Sequence, residues 1–192
     1  MTKAQRADCR RAPARHSGAT LRQELTLRMA AMARHPAVAT SGVQARVVHP
    51  ADREQYARCR ELGEVSDAYE GASVRMLATS DTGTVIGTAR LTLWSPVVGF
   101  MVEHEVDDPR RELVLGPRTA ELSAMVAVGT TREQTHIWLT LTRLAYRVAG
   151  AHGLDHLYVI ADPRHIIAIV SPGAYAISAT AARIDLKARP VS

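Results

Sequence analysis

The sequence predicts a mixed α/β fold in which helices cover the faces of one sheet. Apolar residues alternate along the predicted strands, and they recur with a period of 3.6 along the predicted helices. The predicted strands and hairpin cover residues 43–49, 73–94, 120–128 and 155–162, and the predicted helices cover residues 50–64 and 130–153. The order strand, helix, hairpin, strand, long helix, strand is typical of a sheet flanked by helices. We expect the strands on either side of the long helix to be parallel and joined by a right-handed crossover.

Turn residues mark the ends of the first helix and the centre of the hairpin. Pro50 suits the first turn of a helix, and Gly63 suits its end. Asp81 and Gly83 lie between the two apolar runs of the hairpin, a combination typical of tight turns. Residues 95–118 are rich in acids and prolines, so we predict a surface loop there.

The segment 130–153 is the clearest helical pattern in the chain. Thr131 and Gln134 have the spacing of a capping box, and Gly153 suits the end of the helix. One face of the helix is apolar, with Ile137, Leu141, Leu144, Ala145 and Val148. Backbone N–H groups at the start of such a helix form an anion site, where the phosphate of a donor substrate could dock. An ordinary capped helix without a ligand is the alternative.

Positive charge is concentrated at the N-terminus. The chain of 192 residues has a net charge of +5, but residues 1–35 alone carry eight Lys or Arg against two acids. We therefore predict a basic, flexible segment over residues 1–42, with a weak helical pattern at 21–34, and a folded domain over residues 43–192. The basic segment is either a solvated tail or a surface for an acidic partner, nucleic acid or a membrane.

Composition and motifs exclude several classes of protein. Aromatic residues make up only 4% of the chain, which argues against nucleic-acid binding by base stacking. Cys9, Cys59 and the eight histidines have no ligand spacing, so no metal site is predicted. The chain has no Walker loop, nucleophile elbow or dinucleotide fingerprint, and we expect no bound cofactor. No apolar run approaches the roughly 18 residues of a membrane span, and no signal peptide follows the basic start, so we expect a cytoplasmic protein.

An arginine in the middle of a predicted strand is the first sign of a site. In VIGTARLTLW, residues 85–94, the period of two places Arg90 between Thr88 and Thr92 on the face away from the core. A partly desolvated guanidinium requires an anion nearby. Glu121, the only acid in the strand AELSAMVAV, supplies one if the two strands pair. The two residues form either a cross-strand salt bridge or a carboxylate held in a cleft as a general base or amine-binding group.

Two further polar stretches are candidates for the same site. Asp67 and Glu70 lie in SDAYEG, just before the hairpin, and with the arginine and glutamate they would form a cluster able to position an amine. A polar loop is the alternative. Arg164 and His165 follow the strand at 155–162, where open α/β sheets bind ligands. His165 is a candidate proton carrier, or alternatively a capping or packing residue.

Four motifs in the same order resemble those of the acyl-homoserine-lactone synthases and the long-chain N-acyl amino acid synthases, within the N-acetyltransferase (GNAT) superfamily. The corresponding residues are Gly87, Arg90 and Leu91 of G-x-x-R-L; Glu121, Ser123 and Val126 of E-x-S-R-x-x-V; Asp67, Tyr69 and Glu70 of D-x-[FY]-[DE]; and ADPRHI at 161–166, which is similar to N-P-R-H-[VI]. The last motif favours the N-acyl amino acid synthases. The resemblance covers about residues 43–166.

This resemblance implies a GNAT-like fold and an N-acyltransferase in which an amine attacks an acyl thioester directly. It implies that Glu121 is the base and that Arg90 holds it or binds the substrate's own carboxylate. The implied substrate-binding residues are Asp67, Glu70, Ser123, Arg164 and His165. The implied acyl-donor-binding residues are Met125, Val126, Ala127, Val128, Thr131 and Arg132, with the thioester between the two parallel strands and its oxyanion against backbone N–H groups.

The resemblance also bears on the donor and the acceptor. GNAT enzymes that use coenzyme A commonly carry [QR]-x-x-G-x-[GA] before the long helix, and VGTTREQTH does not fit this pattern. We therefore favour acyl carrier protein over coenzyme A as the carrier of the acyl co-substrate. The amine would belong to an amino acid or a related small molecule, and the basic N-terminal segment could help to dock the acidic carrier protein.

Two departures from the family pattern predict an impaired enzyme. Ala124 stands where the family has arginine, and the chain after His165 lacks the aromatic F-Y-x-x-x-G-F segment. Two other functions therefore stay open. One is an acetyl-coenzyme-A-dependent N-acetyltransferase, and the other is a non-catalytic domain that binds acyl thioesters.

Overall fold

The computed structural model describes residues 18–61, 69–163, 166 and 174–186. Among these residues, eight strands form one sheet. The helices are α1 (Gly18–Met32), α2 (Arg53–Glu61), α3 (Pro109–Glu112) and α4 (Thr131–Ala151). The strands are β1 (Val38–Thr40), β2 (Val43–Val47), β3 (Ser73–Ser80), β4 (Val85–Leu93), β5 (Thr119–Ala127), β6 (His156–Ile160), β7 (Ala174–Ala176) and β8 (Ala181–Asp185).

The sheet is mixed, and its one parallel pair flanks the long helix. The strand order is β1-β2-β3-β4-β5-β6-β8-β7. Strands β5 and β6 pair in parallel from Thr119 opposite His156 to Leu122 opposite Val159, while the other neighbouring strands are antiparallel. The predicted parallel crossover through α4 is therefore confirmed, and so is the hairpin of β3 with β4.

The hydrophobic core lies between one face of the sheet and helices α4 and α1. From the sheet, Leu91, Leu122 and Leu157 are fully buried in it. Helix α4 contributes the apolar face that its sequence predicts, with Ile137, Leu141, Leu144, Ala145 and Val148 all buried. Met32 at the end of α1 belongs to the same core.

The chain before residue 43 contributes to this core and sheet. Strand β1 pairs with β2, with Val38 opposite Ala45, and Val38 is buried. The sheet thus begins before the boundary that the sequence predicts after residue 42, because the turn at Ser41 and Gly42 returns the chain along β2. Both residues of this turn have a positive φ.

The other face of the sheet carries polar side chains, and it is covered by α2 and by the segment between β4 and β5. This segment was predicted to be a surface loop, but Phe100 and Val102 are buried against the sheet, as is Leu113. A 3-10 turn at Met101–His104 lies within it. Its apolar residues are too few and too irregularly spaced to show a period, so the sequence pattern did not reveal that it packs on the sheet.

Candidate active site

The pairing of β4 with β5 places four polar side chains together on the sheet face opposite α4. Arg90 lies opposite Ser123, and Thr92 lies opposite Glu121. All four residues are fully buried. Arg90 and Glu121 are therefore diagonal neighbours on one face rather than a directly opposed pair.

The Glu121 carboxylate is buried beneath the 3-10 turn Met101–His104. Its Oε2 accepts a hydrogen bond of 2.8 Å from the Val102 N–H. Burial raises the pKa of Glu121 above the ordinary glutamate value, and the Val102 N–H, the Ser123 hydroxyl and the Arg90 charge oppose part of that rise. Although the Ser123 hydroxyl lies near enough to act on the carboxylate, neither it nor Oε1 has a hydrogen-bond partner of normal geometry in the described part of the chain. A carboxylate in such a setting, with one oxygen not hydrogen-bonded, can accept a proton from a group that reaches it.

The Arg90 guanidinium is enclosed by groups from three different segments. Its Nη2 donates to Met101 Sδ at 3.1 Å, and its Cζ lies 5.3 Å from the centroid of the Tyr69 ring. A thioether is a weak acceptor, and a ring face attracts a cation. Together with the nearby Glu121 charge, these contacts hold the guanidinium in place on the buried face.

Tyr69 connects the acidic stretch before β3 to this face. The Tyr69 carbonyl accepts a hydrogen bond of 2.6 Å from Ser73 Oγ, which in turn lies 2.8 Å from Thr92 Oγ1. Asp67 lies outside the described residues, and so does the side chain of Glu70. The predicted cluster of three acids and one arginine stays a prediction, but Tyr69, between these two acids in the sequence, contacts the arginine.

Tyr158 forms the wall of the site on the β6 side. It lies opposite Glu121 in the parallel ladder, and its ring packs against Phe100 with the centroids 6.1 Å apart. Its hydroxyl accepts a hydrogen bond of 2.8 Å from the Val114 N–H and lies 3.2 Å from the Val114 carbonyl. Burial raises the pKa of Tyr158, so the phenol stays neutral and holds the segment before β5 against the sheet.

Strand β5 parts from β6 after Leu122 but stays paired with β4 as far as Ala127, through an irregularity in the ladder. Ala124 has a φ of 52°, and together with Met125 it lies opposite the single residue Ala89, which makes a β-bulge. The ladder with β6 ends at Leu122 opposite Val159. The predicted donor-binding residues of β5 lie beyond that point: Met125, Val126 and Ala127 are partly buried, and Val128 is exposed.

The start of α4 is capped one residue earlier than the sequence pattern predicts. The capping box joins Thr130 to Glu133, not Thr131 to Gln134, because the helix begins at Thr131 and its cap is the residue before. The Glu133 carboxylate accepts hydrogen bonds of 2.7 Å from both the N–H and the hydroxyl of Thr130. These bonds lower the pKa of Glu133. The predicted anion site therefore already contains a carboxylate, while Thr131 and Arg132 are exposed beside it.

An open cleft of about 420 Å³ lies between α2 and the β3–β4 turn. Its lining includes Cys59, Val85 and Val128, so it reaches the end of the predicted donor-binding stretch. Burial raises the pKa of the Cys59 thiol, which makes this cysteine a packing residue rather than a nucleophile.

Comparison with known proteins identifies the family. The family model of the N-acyl amino acid synthase FeeM matches residues 51–168. The chain belongs to this family. It is an acyltransferase of the type that includes the N-acyl amino acid and acyl-homoserine-lactone synthases, as the four motifs predict. No curated protein sequence matches this chain significantly.

Solved structures agree with this assignment at the level of the fold. FeeM, an N-acyl amino acid synthase from uncultured soil microbes, has a TM-score of 0.56 at 15% identity, covering 78% of this chain and 93% of its own. The AHL synthase LasI has a TM-score of 0.52 at 14% identity, covering 77% and 92%. TofI in an apo form has a TM-score of 0.53 at 19% identity, covering 77% and 93%. The predicted mixed sheet flanked by helices is confirmed, and its fold is similar to that of these synthases.

Three residues that contact the candidate site were not found from the sequence: Met101, Val102 and Arg60, which donates to the Ala124 carbonyl. Met101 and Val102 contact Arg90 and Glu121, but they lie in an irregular segment that gives no periodic signal. Arg60 is different, because it follows Tyr56 by one helical turn and shares the buried face of α2. An arginine at a core position of an amphipathic helix is a signal that could have been used.

Arg164 and His165 lie outside the described residues, so their predicted roles stay predictions. Within the described ranges, no group of three His, Cys, Asp or Glu is close enough to hold a metal ion. Among the described residues, no helix is both long enough and apolar enough to cross a membrane.

Proposed function

We propose that this enzyme transfers an acyl group from an acyl thioester to the amine of an amino acid or a related small molecule. The observation that carries the proposal is the position of Glu121. It is a buried carboxylate beside Arg90, in the strand that parts from its parallel neighbour one residue later. Membership of the N-acyl amino acid synthase family supports the same reaction.

The reaction needs a base, a place for the oxyanion and a route for one proton. The amine nitrogen attacks the thioester carbonyl, the C–N bond forms, and the C–S bond breaks to release the thiol. Glu121 takes the proton of the attacking amine through a water molecule, and the leaving thiolate receives that same proton, which restores the Glu121 carboxylate. Its raised pKa makes the Glu121 carboxylate a stronger base than an ordinary glutamate. Backbone N–H groups of β5 beyond Leu122 stabilise the oxyanion.

Arg90 and the neighbouring polar residues position the acceptor amine. In this proposal Arg90 either fixes the Glu121 carboxylate or binds the carboxylate of an amino acid. Ser123, whose buried hydroxyl lies beside Glu121, contacts the acceptor, and Asp67, Glu70, Arg164 and His165 complete the pocket. This residue assignment follows the motifs of the family.

We favour acyl carrier protein as the donor for an electrostatic reason. The pyrophosphate of coenzyme A would meet the Glu133 carboxylate at the start of α4, where Thr130 is already the donor. A carrier protein presents a single phosphate on a flexible arm, and the basic residues within 1–35 can attract its acidic surface. This docking would weaken as salt is added.

The proposal is tested by lipid analysis of cells that express the chain. We expect mass spectrometry to find new N-acyl amino acids, or lactones, in cells with the wild-type protein and none with Glu121→Gln. The matched control is Glu24→Gln, which changes an exposed glutamate of α1 and should leave the products unchanged. A folded wild-type chain that makes only acetylated amines would favour the acetyl-coenzyme-A enzyme, and one that makes no product would favour the non-catalytic domain.

A further inference from the structure

Arg60 is a buried charge that the proposed mechanism does not use. It lies at the end of α2 and is only 6% exposed. Its Nη1 donates a hydrogen bond of 2.9 Å to the carbonyl of Ala124, 64 residues further along the chain. A buried guanidinium is stable only where protein groups replace its hydrogen bonds to water. The bond to the Ala124 carbonyl therefore fixes the position of the two groups relative to each other.

The carbonyl that Arg60 binds belongs to the most unusual residue of β5. Ala124 has a φ of 52°, in the left-handed region that residues with a side chain avoid. The conformation belongs to the bulge in which Ala124 and Met125 lie opposite Ala89. In a regular strand this carbonyl would point to the neighbouring strand, whereas here it points to α2.

This bulge lies where the two parallel strands part. The β5–β6 ladder ends at Leu122, just before Ala124. The Met125 N–H belongs to the same peptide as the Ala124 carbonyl, and because this peptide is trans the N–H points away from Arg60. A charged donor on the carbonyl polarises the peptide and strengthens its N–H as a hydrogen-bond donor.

We infer that Arg60 is a positioning residue that holds the Ala124–Met125 peptide in the orientation that the acyl thioester requires. Its catalytic consequence rests on the proposed function, whereas the contact that fixes the bulge does not depend on it. Arg60 acts through the peptide and not on the reacting atoms. Glycine at position 124 would adopt the same φ without strain, so it would reduce the need for Arg60.

The first test needs no activity. Backbone NMR shifts of residues 124 and 125 report φ and ψ, and we compare wild type with Arg60→Met and with Arg53→Met, which changes an exposed arginine of the same helix. We expect Arg60→Met to move Ala124 out of the left-handed region and Arg53→Met to leave it there. If Ala124 keeps its wild-type shifts in folded Arg60→Met, the inference is overturned.

The second test measures the transfer rate with a long-chain acyl carrier protein and an amino acid. Loss of one charge-assisted hydrogen bond predicts that Arg60→Met lowers kcat by about tenfold to a hundredfold. The KM for the amine should stay within about twofold, since Arg60 does not contact the acceptor. Arg60→Lys, which keeps a charged donor, should retain more activity than Arg60→Met, and Arg53→Met should match wild type.

Ala124→Gly separates positioning from general stability. In the Ala124→Gly background, Arg60→Met should cost less in kcat than it does alone, because the bulge no longer stores strain. Equal losses in both backgrounds, matched by equal losses in melting temperature, would mean that Arg60 only stabilises the fold, and would overturn the inference. If the wild type transfers no acyl group, the proposed function fails, and the NMR comparison still decides whether Arg60 fixes the bulge.

Discussion

Glu121 is a buried carboxylate whose hydrogen bonds are incomplete. A fully buried carboxylate costs free energy unless its oxygens are hydrogen-bonded, yet among the described residues only the Val102 N–H bonds to it with normal geometry. Arg90 lies diagonally beside it and compensates part of the charge. Its neighbours on the same face of β5, Thr119 and Ser123, are polar but uncharged, so Glu121 brings the only carboxylate of this strand to the polar face.

The raised pKa of Glu121 makes a prediction about stability and pH. The folded protein binds a proton on Glu121 more tightly than the unfolded chain does. The protonated carboxyl therefore stabilises the fold fully below its unfolded-state pKa, and this stabilisation is lost as pH rises through its folded-state pKa. We expect urea denaturation between about pH 4.5 and about pH 8 to show the free energy of unfolding of wild type falling relative to that of Glu121→Gln. Parallel curves would contradict the raised pKa.

Arg60 also bears on the departure at Ala124. The family pattern has an arginine there, and its replacement by alanine predicts an impaired enzyme. In this chain a guanidinium from α2 bonds to the carbonyl of that same residue. The bulge therefore keeps a positive charge beside it, although the charge is supplied by another element.

Thr130→Ala tests whether Thr130 is the N-cap of α4. Loss of the Thr130 hydroxyl should destabilise the protein by about 1 kcal/mol, since it removes the bonds to the Glu133 carboxylate and N–H. Thr131→Ala is the matched control, because Thr131 is exposed and is not the cap, and its cost should stay within about 0.5 kcal/mol. Urea denaturation measures both variants, and a larger cost for Thr131→Ala would contradict the assignment.

Close packing explains why β4 carries a glycine, Gly87, two residues after its start. A Cβ at this position would lie 2.4 Å from Ile137 Cγ2 and 3.0 Å from the Val126 carbonyl oxygen, so α4 and β5 approach β4 more closely than a side chain allows. We expect Gly87→Ala to lower the free energy of unfolding by about 1–3 kcal/mol through overpacking.

Gly116→Ala is the control for this substitution. A Cβ there has no neighbour within 4 Å, and its φ is not in the left-handed region. Chemical denaturation should show that Gly87→Ala lowers the free energy of unfolding more than Gly116→Ala does. Equal stability of Gly87→Ala and wild type would show that α4 can move away from the sheet without cost.

Most of the fold follows from periodicity, because two-residue and 3.6-residue patterns persist along whole elements. The face of α4 that carries Ile137 and Leu141, and the face of β4 that carries Leu91, were both identified in this way. The polar face was also predictable, since Arg90 and Glu121 interrupt otherwise apolar strands. The start of the sheet was placed too late because β1 has only three residues, too few to show a period.

The details of the site were less predictable because they depend on irregular backbone. The bulge at Ala124 sets which residue of β5 lies opposite Arg90, and an alanine gives no sign of a left-handed conformation. Met101 and Val102 reach the site from a segment whose course depends on tertiary packing with Tyr158 and the sheet. Such contacts join residues far apart in sequence, and no local pattern encodes them.

The central claim is that Glu121 acts as the base in direct acyl transfer to an amine. Its most direct test is the initial rate of the purified protein with one long-chain acyl group carried either by acyl carrier protein or by coenzyme A, in the presence of mixed amino acids. We predict an N-acyl amino acid formed faster from the carrier protein, and a rate at least about a hundredfold lower for Glu121→Gln, as expected when a general base is removed. A folded wild-type protein that transfers no acyl group from either donor, or a Glu121→Gln variant as fast as wild type, would contradict the account.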